Sequence, residues 1–212
     1  NVLMYNSETV LLNDLERKTN FKSEETLTCG IYTSCYSVEE LKNAVLCIRL
    51  SLNGKVIEKH EEKIDTIKNG CVSKISTLSI KLPKVEEAGA MKLYATLDSD
   101  GLFVENEWEL YIFPEVKCVQ DADLVVSEGM CVEELISTLK SGKNVVLLGT
   151  EPFVSLPTTF RIALAGRCSG NLATVINDHP LTEKIPHDGF CGWQFGELME
   201  NGSAVCFEAD DV

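Results

Sequence analysis

Between about Phe21 and Pro114, apolar side chains recur at every second position, the spacing that sends them to one face of a pleated strand and polar residues to the other. The clearest run puts Ala44, Leu46, Ile48, Leu50 and Leu52 on one face and Val45, Arg49 and Ser51 on the opposite one. Asn53-Gly54 follows, a pair that tolerates the positive φ of a tight hairpin, and returns the chain through Lys55 to His60. The same alternation recurs at Leu27, Cys29 and Ile31, at Leu78, Ile80 and Leu82, at Met91, Leu93, Ala95 and Leu97, and at Trp108, Leu110 and Ile112. With turn signals between them, these runs predict an antiparallel sandwich of about seven strands, immunoglobulin-like in size, with Trp108 buried on the last strand as an anchor of the core.

Past Pro114 the period changes. Asp123 to Val126 is a short apolar strand, and Val132, Leu135, Ile136 and Leu139 then fall at the i, i+3, i+4, i+7 spacing of a helix face. Ser141-Gly142 ends that helix, with Lys140 and Lys143 complementing the negative end of its dipole. Asn144 to Leu148 is a second apolar strand ending at Gly149, so a βαβ unit with two parallel strands is expected. The chain therefore divides into a β-sandwich over 1–114 and an α/β module over 115–212, doubly wound around a parallel sheet. The acidic end from Glu208 to Val212 reads as a truncation of that module or a strand-to-loop exit from it, and a start at Asn1 instead of Met is expected of a fragment.

Composition narrows the functional classes. Of 212 residues 44% are hydrophobic, enough for a core in each part. Lys and Arg number 19 against 33 Asp and Glu, a formal charge of -14 that repels a phosphate backbone and argues against nucleic-acid binding. No apolar run approaches the roughly 18 residues of a membrane span, and Asn1 to Asn6 lack the start of a secretory signal. The nine cysteines are odd in number and show no Cys-x-x-Cys, which argues against a disulfide framework and a zinc site. Cys29, Cys47, Cys118 and Cys206 read as small buried hydrophobes, and a reducing cytoplasm is the expected compartment.

Candidate chemistry is sparse. Gly129-Met130-Cys131-Val132-Glu133 places a cysteine between a strand and a helix, where the dipole favours a thiolate. A nucleophile elbow needs glycine two residues to either side, and here Glu133 holds the second place; His179 or His187 would have to act as its base. His179, in Asp178-His179-Pro180-Leu181, is expected to hydrogen-bond its own turn, and Asp178 and His179 supply too few ligands for a metal. His187 and Asp188 belong to an exposed loop over Lys184 to Gly189, and His60 to a solvated strand face. Trp193 and Phe195 can stack on a sugar ring or pack in a core. Glu24-Glu25, Glu39-Glu40, Glu61-Glu62 and Glu86-Glu87 are sequence neighbours, which on a strand point to opposite faces, unlike glycosidase carboxylates about 5 Å apart. Gly149-Thr150-Glu151-Pro152 lacks the glycines or the Lys-Ser/Thr ending of a phosphate loop. No catalytic residue, cofactor site or metal site is assigned.

Asn106-Glu107-Trp108 through Tyr111-Ile112-Phe113-Pro114 resembles the strand that ends an immunoglobulin-like sandwich in bacterial glycoside hydrolase family 2 proteins of the β-galactosidase type. The likeness continues through Ala122 to Val126, Leu139 to Leu148, Asp178-His179-Pro180-Leu181 and Trp193-Gln194-Phe195, covering Phe21 to Phe207. It implies a non-catalytic C-terminal region: a sandwich followed by a flavodoxin-like α/β module. The sugar-binding jelly roll and the catalytic barrel of about 250 residues lie outside this chain. The implied partners are those missing domains, a carbohydrate, or a second copy of the chain. Two other readings stand beside it: a cysteine hydrolase or amidotransferase-like domain using Cys131, and a carbohydrate-binding module using Trp193 and Phe195, with His179 as a further ligand contact.

Overall fold

In the first half of the chain the period-two runs become long strands. They are β1 (Thr9–Asn13), β2 (Asn20–Lys22), β3 (Thr26–Cys35), β4 (Leu41–Leu52), β5 (Lys55–Ile67), β6 (Cys71–Lys81), β7 (Gly89–Ser99) and β8 (Leu102–Phe113). The computed structural model describes residues 7–16, 18–116, 121–157 and 175–205; Asn1 to Asn6, Cys118, Cys206, the acidic end from Glu208 and most of the run from Leu172 to Ile176 lie outside the described residues. Two units are distinguished, Asn1–Glu115 with Asp178–Pro186, and Val116–Asn177 with His187–Val212.

The first unit is a two-sheet sandwich. One sheet has the order β1-β3-β6, all antiparallel. The other runs β2-β8-β7-β4-β5, with β2 parallel to β8 and the remaining pairs antiparallel. Eight strands stand where about seven are expected, because β1 is a run of consecutive apolar residues before the periodic region and β2, at its start, has only three residues. Asn53 (φ 48°) and Gly54 (φ 80°) form the two-residue turn between Leu52 and Lys55. Asp100 (φ 40°) and Gly101 (φ 89°) make a second such turn, between Ser99 and Leu102. The right-handed twist of the strands favours these positive-φ turns over their mirror images.

The core lies between the sheets. Leu11, Leu27, Ile31 and Leu78 from the three-stranded sheet meet Leu46, Ile48, Leu50, Leu93, Leu97, Leu110 and Ile112 from the five-stranded one. Each such leucine or isoleucine, fully buried, contributes about 1.5–3 kcal/mol. The expected face of β4 is inward, although Leu52 at its end is only half-buried. Two expectations are corrected. Trp108 packs against the core but is half-buried, because the inward parity it shares with Leu110 and Ile112 sets the face it occupies and not how deeply that face is covered. Cys47 is also half-buried, since it shares the outward parity of Arg49.

A polar residue occupies the inward row of β8. Asn106 is 1% exposed, its Nδ2 donates to the carbonyl of Leu11 at 2.8 Å, and its Oδ1 accepts the N–H of Glu107 at 2.8 Å. The amide thus ties β1, in one sheet, to β8 in the other. At the far end of β1, Asp14 accepts the N–H of Gly30 at 2.6 Å. A Cβ at Gly30 would lie 2.5 Å from that carboxylate, so any larger residue there would have to displace the Asp14 side chain. β5 is the charged outer edge, with Glu58, Lys59, His60, Glu61 and Lys63 exposed, a composition that discourages further strand pairing.

In the second unit, β9 (Leu124–Ser127), α1 (Val132–Lys140) and β10 (Asn144–Leu147) form the expected βαβ arrangement. β10 runs parallel to β9, from Asn144 opposite Leu124 to Leu147 opposite Ser127. Gly142 (φ 84°) follows the helix and donates its N–H to Leu139 at 3.0 Å, ending it in the left-handed region. Gly149 is required by contact: a Cβ there would stand 1.9 Å from the carbonyl of Glu128. A second ladder, β11 (Ser155–Pro157) with β12 (Ser203–Val205), is antiparallel. The described residues therefore hold one parallel and one antiparallel pair.

Candidate functional site

Trp193–Phe195 is a single 3-10 turn that leads into the short helix α2 (Gly196–Asn201). Trp193 is 47% exposed, whereas Phe195 is 5% exposed and faces the ring of His187, 6.3 Å between centroids and tilted by 57°. His187 Nδ1 accepts the N–H of Gly189 at 3.1 Å, which holds the ring in its own loop. Of the two aromatic residues, Trp193 is the more exposed. His179 is used within its turn: Nδ1 accepts the N–H of Leu181 at 3.1 Å and its carbonyl accepts that of Thr182 at 2.9 Å. It belongs to the first unit, Trp193 and Phe195 to the second.

Cys131 is exposed and precedes α1, where its carbonyl accepts the N–H of Leu135 at 2.9 Å and its sulfur caps nothing. Glu133 and Glu134 fill the first turn, so the positive end of the helix dipole already has carboxylates beside it. His60 Nε2 stands 3.6 Å from Glu62 Oε2, the oxygen that accepts the Ser76 hydroxyl at 2.7 Å. A serine, a histidine and a carboxylate thus meet, but with the carboxylate in the middle. A hydrolytic triad needs the imidazole between the other two. Glu61 turns the other way, toward Lys59 at 3.5 Å, so this acidic pair divides between the two faces of β5.

Sequence reading put Arg49 on the polar face of its strand but gave the outer face of the five-stranded sheet no role. The cross-strand row Lys59, Arg49, Tyr94 and Glu107 spans β5, β4, β7 and β8. The Arg49 guanidinium lies over the Tyr94 ring, 4.5 Å from its centroid, and Lys92 Nζ pairs with Glu107 at 3.1 Å. Tyr94 donates its hydroxyl to Glu105, and that bond holds the phenol above its ordinary pKa. The signal for this row was present in the polar positions of the alternation, though polar parity alone does not distinguish a ladder from scattered surface charge. Chemically the row is a polar surface whose aromatic ring is already covered on one side by arginine. Among the described residues no group of three or more His, Cys, Asp or Glu is placed to hold a metal ion, and no helix is long and apolar enough to cross a membrane.

Residues 25–114 match the model of a domain of unknown function, DUF8488, a stretch that runs from the start of β3 to Pro114. No curated protein matches the sequence. Among solved structures, the sporulation control protein Spo0M of Bacillus subtilis is similar at 13% identity and a TM-score of 0.35, over 51% of each chain. The β-glucuronidase of Parabacteroides merdae is similar at 14% identity and a TM-score of 0.33, over 50% of this chain and 14% of that one. A family 123 glycoside hydrolase from Clostridium perfringens gives 9% identity and a TM-score of 0.34, over 57% of this chain and 30% of that one. The chain spans about half of Spo0M and less than a third of either hydrolase. Likeness at this level assigns no activity.

Proposed function

We propose that the chain is a non-catalytic accessory region of a family 2 glycoside hydrolase of the β-galactosidase type. In this reading an immunoglobulin-like sandwich and a flavodoxin-like α/β module, divided near Pro114, support a catalytic barrel elsewhere in a cytoplasmic parent protein. The observation that carries it is the use made of the motif that prompted the resemblance. Asn106 ties β1 to β8, Trp108 packs against the core, and Leu110 and Ile112 lie within it. These are scaffold residues, so what they support is a shared module and not shared chemistry.

The test has two parts. Purified chain incubated with aryl glycosides and aryl amides is expected to show no turnover above buffer, and the reading frame containing it to encode a family 2 barrel upstream of Asn1. Saturable hydrolysis, or a frame without such a barrel, overturns the reading. Carbohydrate binding at Trp193 is the second reading, favoured by the exposure of that ring. Its test is indole fluorescence titrated with oligosaccharides: a saturable change that disappears in Trp193→Ala supports it. A cysteine-hydrolase reading at Cys131 requires preferential iodoacetamide labelling there together with loss of a measured activity.

A further inference from the structure

We propose that Cys35 and Cys71 form a thiol–disulfide site, a pair of free thiols placed to be joined by oxidation with a small-molecule disulfide. Cys35 is the last residue of β3 and Cys71 the first of β6, and the two are directly opposite in the antiparallel register. Opposite residues send their side chains to the same face. At such positions Cα atoms stand about 4.5–5.5 Å apart, inside the range a disulfide accepts. Their Cβ atoms stand roughly 4.5–5.5 Å apart and a disulfide needs about 3.5–4.5 Å, so closure asks for approximately an ångström of approach. The pair is placed to allow it, because it terminates the ladder beside the turn at Gly70 (φ 76°), whose N–H donates to the carbonyl of Cys35 at 2.8 Å.

Each sulfur has a serine hydroxyl beside it, and Cys71 Sγ also donates to the carbonyl of Lys68 at 3.7 Å. Each is followed two residues on by a serine whose Oγ lies 3.3 Å away, Ser37 for Cys35 and Ser73 for Cys71. The Ser37 hydroxyl donates to the carbonyl of Glu39 at 2.7 Å, which leaves its oxygen to accept the Cys35 thiol, and Thr9 donates to the Cys35 sulfur at 3.8 Å. Cys35 is buried and Cys71 half-buried, which orders the reaction. The Cys71 thiolate attacks one sulfur of oxidised glutathione, breaks its S–S bond and releases one glutathione. The Cys35 thiolate then attacks the Cys71 sulfur of the mixed disulfide and releases the second. Two protein thiols are oxidised, one small disulfide is reduced to two thiols, and the two protons pass to the released glutathiones.

The consequence follows from connectivity. Between the two cysteines the chain leaves the three-stranded sheet, builds β4 and β5 of the other sheet, and returns. The bond would close that excursion at its base and restrain it in the unfolded chain. Treating the folded chain with oxidised glutathione, followed by alkylation and trypsin, is expected to link the peptides Ser23–Lys42 and Asn69–Lys74. The linked pair should vanish in Cys35→Ser and in Cys71→Ser, and persist in Cys29→Ala. Cys29 shares the first peptide but is buried in the core, which pushes its thiol up to about 11. Thermal unfolding of the oxidised wild type should rise by roughly 5–15 °C, with no such rise in Cys71→Ser. A mixed disulfide that persists on Cys71 with Cys35 still free, or a linked peptide surviving in Cys35→Ser, overturns the proposal.

Discussion

β7 and α1 are both amphipathic in sequence, yet they end in opposite conditions. Along β7 every second position from Gly89 to Ser99 is buried, while none of the nine residues of α1 is. Val132, Ile136 and Leu139, which give the helix its apolar stripe, are 48%, 45% and 51% exposed. A stripe specifies which side of an element is apolar, but how deeply it is buried depends on what lies opposite. For β7 the opposite surface is a second sheet of the same unit. Stability in the sandwich therefore resides in side chains between sheets, and the apolar side chains of α1 contribute less each.

The contrast is sharpest for truncations in urea melts. Leu93→Ala, from β7, should cost about 2–5 kcal/mol, whereas Ile136→Ala, from α1, should cost less than about 1 kcal/mol, since alanine also favours the helix. Comparable losses at the two sites would mean that the α1 stripe is covered in solution. Asn106→Ala leaves the Leu11 carbonyl without its donor and should cost about 1–3 kcal/mol. Faster hydrogen exchange over Thr9–Asn13 than in the wild type would identify β1 as the strand released, and unchanged exchange there would remove Asn106 as the tie between sheets.

Backbone effects should be of similar or smaller size. Gly149→Ala forces its Cβ onto the Glu128 carbonyl and should destabilise the βαβ unit by roughly 1–3 kcal/mol, against about 1 kcal/mol for Gly142→Ala, where only the left-handed conformation is at issue. Equal effects at the two glycines would show that β9 and its following loop yield easily. The smallest effect is expected at Glu25, whose carboxyl is held below its ordinary pKa by Lys18 Nζ at 2.6 Å and by the N–H of Lys22 at 2.8 Å. A depressed folded-state pKa contributes stability above the unfolded value, and that contribution is lost as pH falls through the folded one. Glu25→Gln should thus cost about 0.5 kcal/mol at neutral pH, the scale of an exposed ion pair, and nothing in strong acid. A loss independent of pH would assign the effect to the hydrogen bonds and not to charge.

Features whose cause is local were legible in advance. Asn53-Gly54 marked its hairpin because only a few residue types accept two consecutive positive-φ positions, and Ser141-Gly142 marked the end of α1 for a related reason. The βαβ borders could be read because a change of period from two to 3.6 needs no partner. β1 was missed: Val10, Leu11 and Leu12 are consecutive apolar residues, and they become a strand by pairing with Ser34, Thr33 and Tyr32. The depth of Trp108 was misjudged because alternation gives the face a residue occupies and not how far that face is covered. Of the proposed site residues, Trp193 and Phe195 had the same sequence signal, and tertiary packing exposed one and buried the other.

Alternation, turn residues and helix spacing, all properties of adjacent positions, were sufficient for the sequence to determine the central strands, two of the turns and the course of the βαβ segment. Only the tertiary structure decided that Asn106 would face inward onto Leu11, that Cys35 would lie opposite Cys71, and that Arg49, Tyr94 and Glu107 would line up in one row. Each of these joins residues far apart in the chain. Their meeting follows from strand order and register, which are set by the burial of whole faces and not by any short stretch of sequence.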